Sequence, residues 1–181
     1  MAIHRSLIAL SEEVLDEYLA VARHCITNPK SEGGIYGYPA VLLLFCVVDA
    51  LSNHLGHPEH SFAALNDPSC FGMNLSTAQI KNLKDWYRHL LAHNGMISPG
   101  ILLTPEKDGN AFEFSATGQP TIIRVLPFYR VVESTWNTFD RTRLRPETRL
   151  RPKHFPDIPV DLTASTSVPI AASGACLPPT K

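Results

Sequence analysis

The chain is 181 residues long, 44% of them apolar, with a formal net charge of −1. That is enough chain for one core-bearing domain and an appendage. The near-zero charge provides no whole-molecule attraction for a polyanion, so any nucleic-acid site has to come from a local cluster.

In chain order, residues 6–27 predict a first helix. Leu7, Leu10, Val14, Tyr18, Val21 and Cys25 recur at steps of three and four, while Glu12, Glu13, Asp16 and Glu17 fall largely on the other side. Asn28-Pro29 closes it and a Gly-rich loop follows. A second helix starts near Pro39 and runs through Val41–Val48 to Leu55, apolar nearly all round, as expected of a central buried helix. Ser76 opens a third, with Gln79 completing a capping box; Ile80, Leu83, Trp86 or Tyr87, and Leu90 mark its buried stripe, and Asn94-Gly95 stops it. Ile101–Leu103, Ala111–Phe114 and Thr121–Leu126 read as short strands, with an Asp108-Gly109 turn between the first two. Pro127 opens a fourth helix extending to about Arg143. The expected core includes Phe45, Val48, Leu51, Leu83 and Leu90.

From Arg145 the pattern collapses. Seven of the 15 prolines fall within residues 146–179, and this composition predicts a disordered tail. The resulting architecture is mainly α. A helical domain of about four helices spans 1–144, with a small antiparallel β insertion at about 100–126, and the basic, then Pro-rich tail spans 145–181.

Four cysteines (Cys25, Cys46, Cys70, Cys176) stand far apart without a CxxC pair, which favours free thiols in a reducing compartment over a disulfide scaffold. The N-terminus is too short in apolar residues and too acidic for a signal peptide, and the run from Ala40 to Val48 is far short of a membrane span. A cytoplasmic protein with no membrane partner is expected.

The chemistry concentrates in Arg88-His89-Leu90-Leu91-Ala92-His93, at the end of the third helix. His89 and His93 are four residues apart and share a face. Arg88 and His93 are about 140° apart on an ideal helix but can converge on one ligand where Asn94-Gly95 tightens the last turn. A helix C-terminus repels phosphate, so a phosphate site there needs cations. Arg88 supplies a permanent forked one, and a histidine there titrates near neutrality. Histidine moves protons and arginine stabilises phosphorane charge, which together suit phosphodiester cleavage without a metal or other cofactor.

This arrangement resembles the Rx4–6H motif of HEPN domains, helical-bundle proteins of which many are metal-independent ribonucleases. The resemblance covers roughly residues 6–143; where the family often has Asn after the Arg, this chain has His89. It implies catalytic roles for Arg88, His93 and His89, attack by the RNA 2′-hydroxyl, and a cyclic phosphate product. It also implies a homodimer whose cleft draws on both protomers, and a toxin or phage-defence role with an antitoxin. In this setting Asp49, on the apolar second helix, would hold Arg88; the alternative is a narrow solvated edge shared with Asn53. Asn94 and Tyr87 are supporting candidates, Tyr87 either as a core and dimer contact or as a base-stacking platform.

Arg141, Arg143, Arg145, Arg149 and Arg151 are candidates for the RNA backbone or a solvated linker. His54, His57 and His60 with Glu59 are spaced like metal ligands, but Gly56 and Pro58 break the helix, and a loop cluster without metal is expected. A capping role for Arg88 and His93 is the structural alternative. The functional alternative is a non-catalytic module of the same fold that dimerises or binds a nucleotidyltransferase-like partner.

Overall fold

The chain is described by a computed structural model, covering residues 7–57, 62–87 and 100–144. Among these residues are four α-helices: α1 (Leu7–Thr27), α2 (Gly37–His54), α3 (Thr77–Trp86) and α4 (Val125–Thr138). Three short strands, β1 (Leu102–Thr104), β2 (Phe112–Phe114) and β3 (Pro120–Arg124), separate α3 from α4. All of these belong to one contact unit, Met1–Glu147.

α2 is the axis of the fold. Val41, Leu44, Phe45, Val47, Val48 and Leu51 are wholly buried, and α1, α4 and the 3-10 turn Ala63–Asn66 pack around the helix. By length and composition α2 would pass as a membrane span, but half of its residues are buried inside the bundle, the pattern of a core helix. Phe45 is its hub, stacking on Phe62 at 5.3 Å between ring centroids and lying 4.9 Å from Phe128 and 5.4 Å from Tyr87. The stack holds Phe62 at φ +52, a left-handed backbone that a bulky residue rarely adopts. Of the expected core, Phe45, Val48, Leu51 and Leu83 are buried; Leu90 lies outside the described residues.

α1 departs from its expected face. Leu15, Leu19, Ala22 and Cys25 are the buried positions, whereas Leu10 is 44% and Val21 49% exposed, and Val14 and Tyr18 are half-buried. The two stripes overlap at Cys25, and the second was masked by its alanine. The apolar periodicity read from the sequence is real, but of its described side chains only Cys25 is buried, Tyr18 packs partly against the core, and Leu10 and Val21 face outward.

The sheet corrects the expectation of an antiparallel insertion. Its order is β1-β3-β2, with β1 parallel to β3 and β2 antiparallel to it. The Asp108-Gly109 turn therefore does not join two paired strands. Arg124, at the end of β3, explains the detour: its guanidinium meets Glu106 at 2.8 Å and Glu113 at 2.5 Å and donates to the Asn110 carbonyl. The 105–111 loop wraps this side chain, and Gly109 (φ +100) passes so close that a Cβ there would lie 3.0 Å from Nε. The hairpin turn is instead the stretch between β2 and β3, where Gly118 donates to Ser115.

α3 begins at the expected capping box, Gln79 N–H donating to Ser76 Oγ and Ser76 N–H to Gln79 Oε1. α4 starts at Val125, two residues before Pro127, which still lies in the first turn where no N–H is required. It stops at Thr138, short of the expected Arg143. Arg141 ends it, its guanidinium 3.4 Å above the Trp136 ring and donating to the Trp136 and Phe139 carbonyls.

Candidate functional site

The last described residue of the α3 segment is Tyr87; Arg88, His89, His93 and Asn94 lie outside the described residues. What the structure describes is the wall against which that segment begins. A cavity of about 360 Å³ opens between α1 and α2, lined by Leu10, Val14 and Tyr18 from α1, by Asp49 and Asn53 from α2, and by Tyr87 at its end. Leu10 and Val14 belong to the α1 stripe that the core leaves out, while Tyr18 also packs against the core. Asp49, Asn53 and His54 form the polar edge of α2, since steps of four and five bring them to one side of the helix.

Asp49 and Asn53 share that edge, as one of the two sequence readings held, but the edge is recessed rather than fully solvated. Both side chains carry a buried Oδ1, and that of Asn53 has no hydrogen-bond partner among the described residues. The same is true of Trp86 Nε1, one residue before Tyr87.

Tyr87 is 9% exposed, tilted against Phe45 and Phe62. It is a core residue and not an open platform for stacking a base. Its hydroxyl shares a 3.2 Å hydrogen bond with Cys46 Sγ. Burial pushes the Tyr87 phenol far above its ordinary value, reinforced by the bond to Cys46 and by the charge of Asp49. Burial likewise pushes the Cys46 thiol up, only partly offset by the Tyr87 bond. Both shifts favour the protonated forms.

The two described histidines of the cluster go separate ways. His54 lines the cavity, while His57 turns to Asp67, Nε2 to Oδ2 at 3.3 Å. Asp67 is held below the usual carboxylate range chiefly by the Ser69 hydroxyl, with the Ser69 N–H and His57 adding to it. His60 and Glu59 lie outside the described residues, and among the described ones no group of three or more such side chains is placed to hold a metal ion. Of the basic candidates, Arg141 is engaged as the α4 cap, and Arg143 donates to Ser69 Oγ at 2.7 Å. Arg145, Arg149 and Arg151 lie outside the described residues.

Sequence reasoning missed the seam on the opposite side of α1. There Arg23 donates to the Tyr129 hydroxyl at 2.7 Å and pairs with Glu133, Tyr129 donates to Glu133 at 2.6 Å, and Trp136 Nε1 donates to Asp16 at 2.6 Å. Its pairs between α1 and α4 stand more than a hundred residues apart in sequence, and no local pattern announces them. The chain matches no family model, and no curated protein or solved structure shows detectable similarity to it.

Proposed function

We propose that this chain is a metal-independent endoribonuclease of the HEPN type, acting as a homodimer in the cytoplasm. The observation that carries the reading is the shared cavity of Asp49 and Tyr87. Tyr87 is covalently joined to Arg88, so the polar edge of α2 lies at the point where the motif begins. In this reading Asp49 restrains the Arg88 guanidinium, and Arg88 binds the scissile phosphate through its planar fork. The 2′-oxygen attacks phosphorus, the bond to the 5′-oxygen breaks, and a 2′,3′-cyclic phosphate remains. His93 either removes the 2′-hydroxyl proton or delivers one to the leaving 5′-oxygen, and His89 lines the cleft. The motif supplies His and Arg rather than the carboxylate cluster of a two-metal site.

The exposed stripe of α1 supports a partner surface. Among the described residues α2 is largely covered within one chain, and the exposed large apolar side chains are Ile8, Leu10 and Val21 of α1, Tyr36 and Tyr38 at the start of α2, and Leu102 of β1. Because Leu10 also lines the cavity, a second copy seated on α1 would help to close the site. The same surface favours the alternative of a non-catalytic module bound to a nucleotidyltransferase-like partner or an antitoxin.

The test is incubation of the purified chain with a total RNA pool in EDTA, followed by analysis of product ends. Cyclic phosphate ends that disappear in His93→Ala support the enzyme. Cleavage abolished by EDTA, or DNA cut as fast as RNA, would overturn this mechanism. A folded dimer that cuts nothing and co-purifies with a partner would establish the alternative.

A further inference from the structure

We infer that the groove between α4 and the 67–73 loop is a track for the phosphate backbone of single-stranded RNA, with Arg130 and Arg143 as its contacts. That the strand is RNA rests on the endoribonuclease reading; the backbone binding itself does not.

The described arginines fall into two sets. Arg23 is paired with Glu133, Arg124 with Glu106 and Glu113, and Arg141 caps α4. Arg130 and Arg143 form no ion pair among the described residues. Each is anchored through Nη1 to a neutral oxygen, Arg130 to the Lys107 carbonyl at 2.8 Å and Arg143 to Ser69 Oγ at 2.7 Å. An arginine held in this way keeps its remaining N–H donors for a ligand, and their planar fork matches phosphate.

Both stand at one groove of about 380 Å³. Arg130, Val131, Ser134 and Thr138 of α4 form one wall, and Cys70 and Phe71 of the loop form the other. Arg143 sits at the rim, because Ser69, which it holds, adjoins Cys70. Burial and then the Asp67 charge push the Cys70 thiol up to about 12, with the Arg143 charge acting against them, so the neutral form is favoured. No carboxylate lines the groove, whereas the α1–α2 cavity has Asp49 and the α1–α4 cleft has Asp16 and Glu133. Asp67 and Asp140, the carboxylates near Arg143, are already bonded, Asp67 to Ser69 and His57 and Asp140 to Thr142. Ser134, one turn from Arg130 on the same face, adds an exposed hydroxyl. From Arg130 to Thr138 the wall runs about 12 Å along α4, long enough to follow successive phosphates of one strand. This is the local cluster that a chain of near-zero net charge needs in order to hold a polyanion.

The experiment is fluorescence anisotropy of a labelled short oligouridylate against the full chain over a series of salt concentrations. The His93→Ala background keeps the strand whole. Each phosphate contact on a single strand contributes about 0.7 to the log–log slope of affinity against salt. Arg130→Gln and Arg143→Gln should each make the slope shallower by about 0.7, and the double variant by about 1.4. Ser134→Glu, on the exposed face between them, should weaken binding even if one of the arginine variants proves unstable. Lys81→Gln, on α3 and already paired with Asp85, should leave the slope unchanged. A deoxy strand should bind alike, because phosphate contacts do not read the 2′-hydroxyl. An unchanged slope in the folded double variant, or a parent that does not bind at about 10⁻⁴ M, would overturn the inference. So would inorganic phosphate that displaces the strand far better than chloride at equal ionic strength, which assigns a single-phosphate site. Sedimentation with phosphatidylserine vesicles that depends on the same two arginines, without strand binding, would assign a lipid headgroup instead. RNA cleavage is scored separately in the parent chain. Salt-sensitive binding through the two arginines without cleavage sinks the ribonuclease reading and leaves the groove standing. EDTA-resistant cleavage dependent on His93, with the slope unchanged in the double variant, sinks the groove alone.

Discussion

The two sides of α1 place polar groups against a neighbouring helix in opposite ways. On the α4 side Arg23, Tyr129 and Glu133 satisfy one another, and Trp136 Nε1 reaches Asp16. On the α2 side the Asn53 oxygen has no partner among the described residues, and an apolar stripe borders an open cavity. A satisfied network rigidifies a fold, whereas an unsatisfied polar group is retained only where something other than stability requires it. The α4 side of α1 is therefore a clamp, and the α2 side is where a site can be built.

The sharpest way to break this contrast is through activity. His93→Ala is expected to lower RNA cleavage by about 10²–10⁴-fold with the melting temperature near that of the parent, because the clamp is untouched; product-end sequencing and a thermal melt check both halves. Arg88→Lys should fail as well, since a point charge does not replace the planar fork.

Next in size is the clamp itself. Trp136 is 1% exposed, and Trp136→Ala should destabilise the fold by about 3–5 kcal/mol, from the lost packing of a large side chain. Urea denaturation measures it. An effect below about 1 kcal/mol would place the clamp outside the stabilising core.

A third test uses pH. The Glu133 carboxyl is held below its ordinary range, foremost by the Tyr129 hydroxyl and then by the Arg23 guanidinium. A depressed carboxyl means that the unfolded chain binds more protons, so this contribution is present above the ordinary glutamate value of 4.5 and is lost as pH falls through the lower native value. Melting temperature recorded from neutral pH into acid should fall less steeply for Glu133→Gln than for the parent. Parallel curves would show that the network does not couple to protonation.

The smallest effect on stability, and the most telling for the α1 stripe, is expected from Val21→Lys. At 49% exposure its cost in the monomer should stay within about 0.5 kcal/mol. Sedimentation should nevertheless show the dimer weakened, because the charge would sit in the surface proposed to join two copies. An unchanged dimer moves the interface elsewhere.

The sequence made most of the helical frame legible because the signals are local. The Ser76–Gln79 capping box, the all-round apolar pattern of α2 and the turn-forming glycines each act within a few residues. It misplaced the face of α1 because two apolar stripes compete there, and periodicity alone does not say which one the core takes. It missed the parallel pairing of β1 with β3 because that depends on Arg124 gathering Glu106 and Glu113, neither of them a neighbour in sequence. At the site, Asp49 and Tyr87 were legible as an out-of-place charge and a motif neighbour. Asn53 stood beside Asp49 in the reading of a solvated edge, and the cavity shows that edge to be recessed.

The strand pairing has one more consequence. The stretch between Tyr87 and Leu102 is held at both ends, by the buried Tyr87 ring and by β1 locked in register with Ile122–Arg124 of β3. A slip of one residue in that register would turn β1 over and move the point at which the chain re-enters the described fold, so the pairing of Leu102 with Ile122 sets the anchorage of everything that connects it to Tyr87.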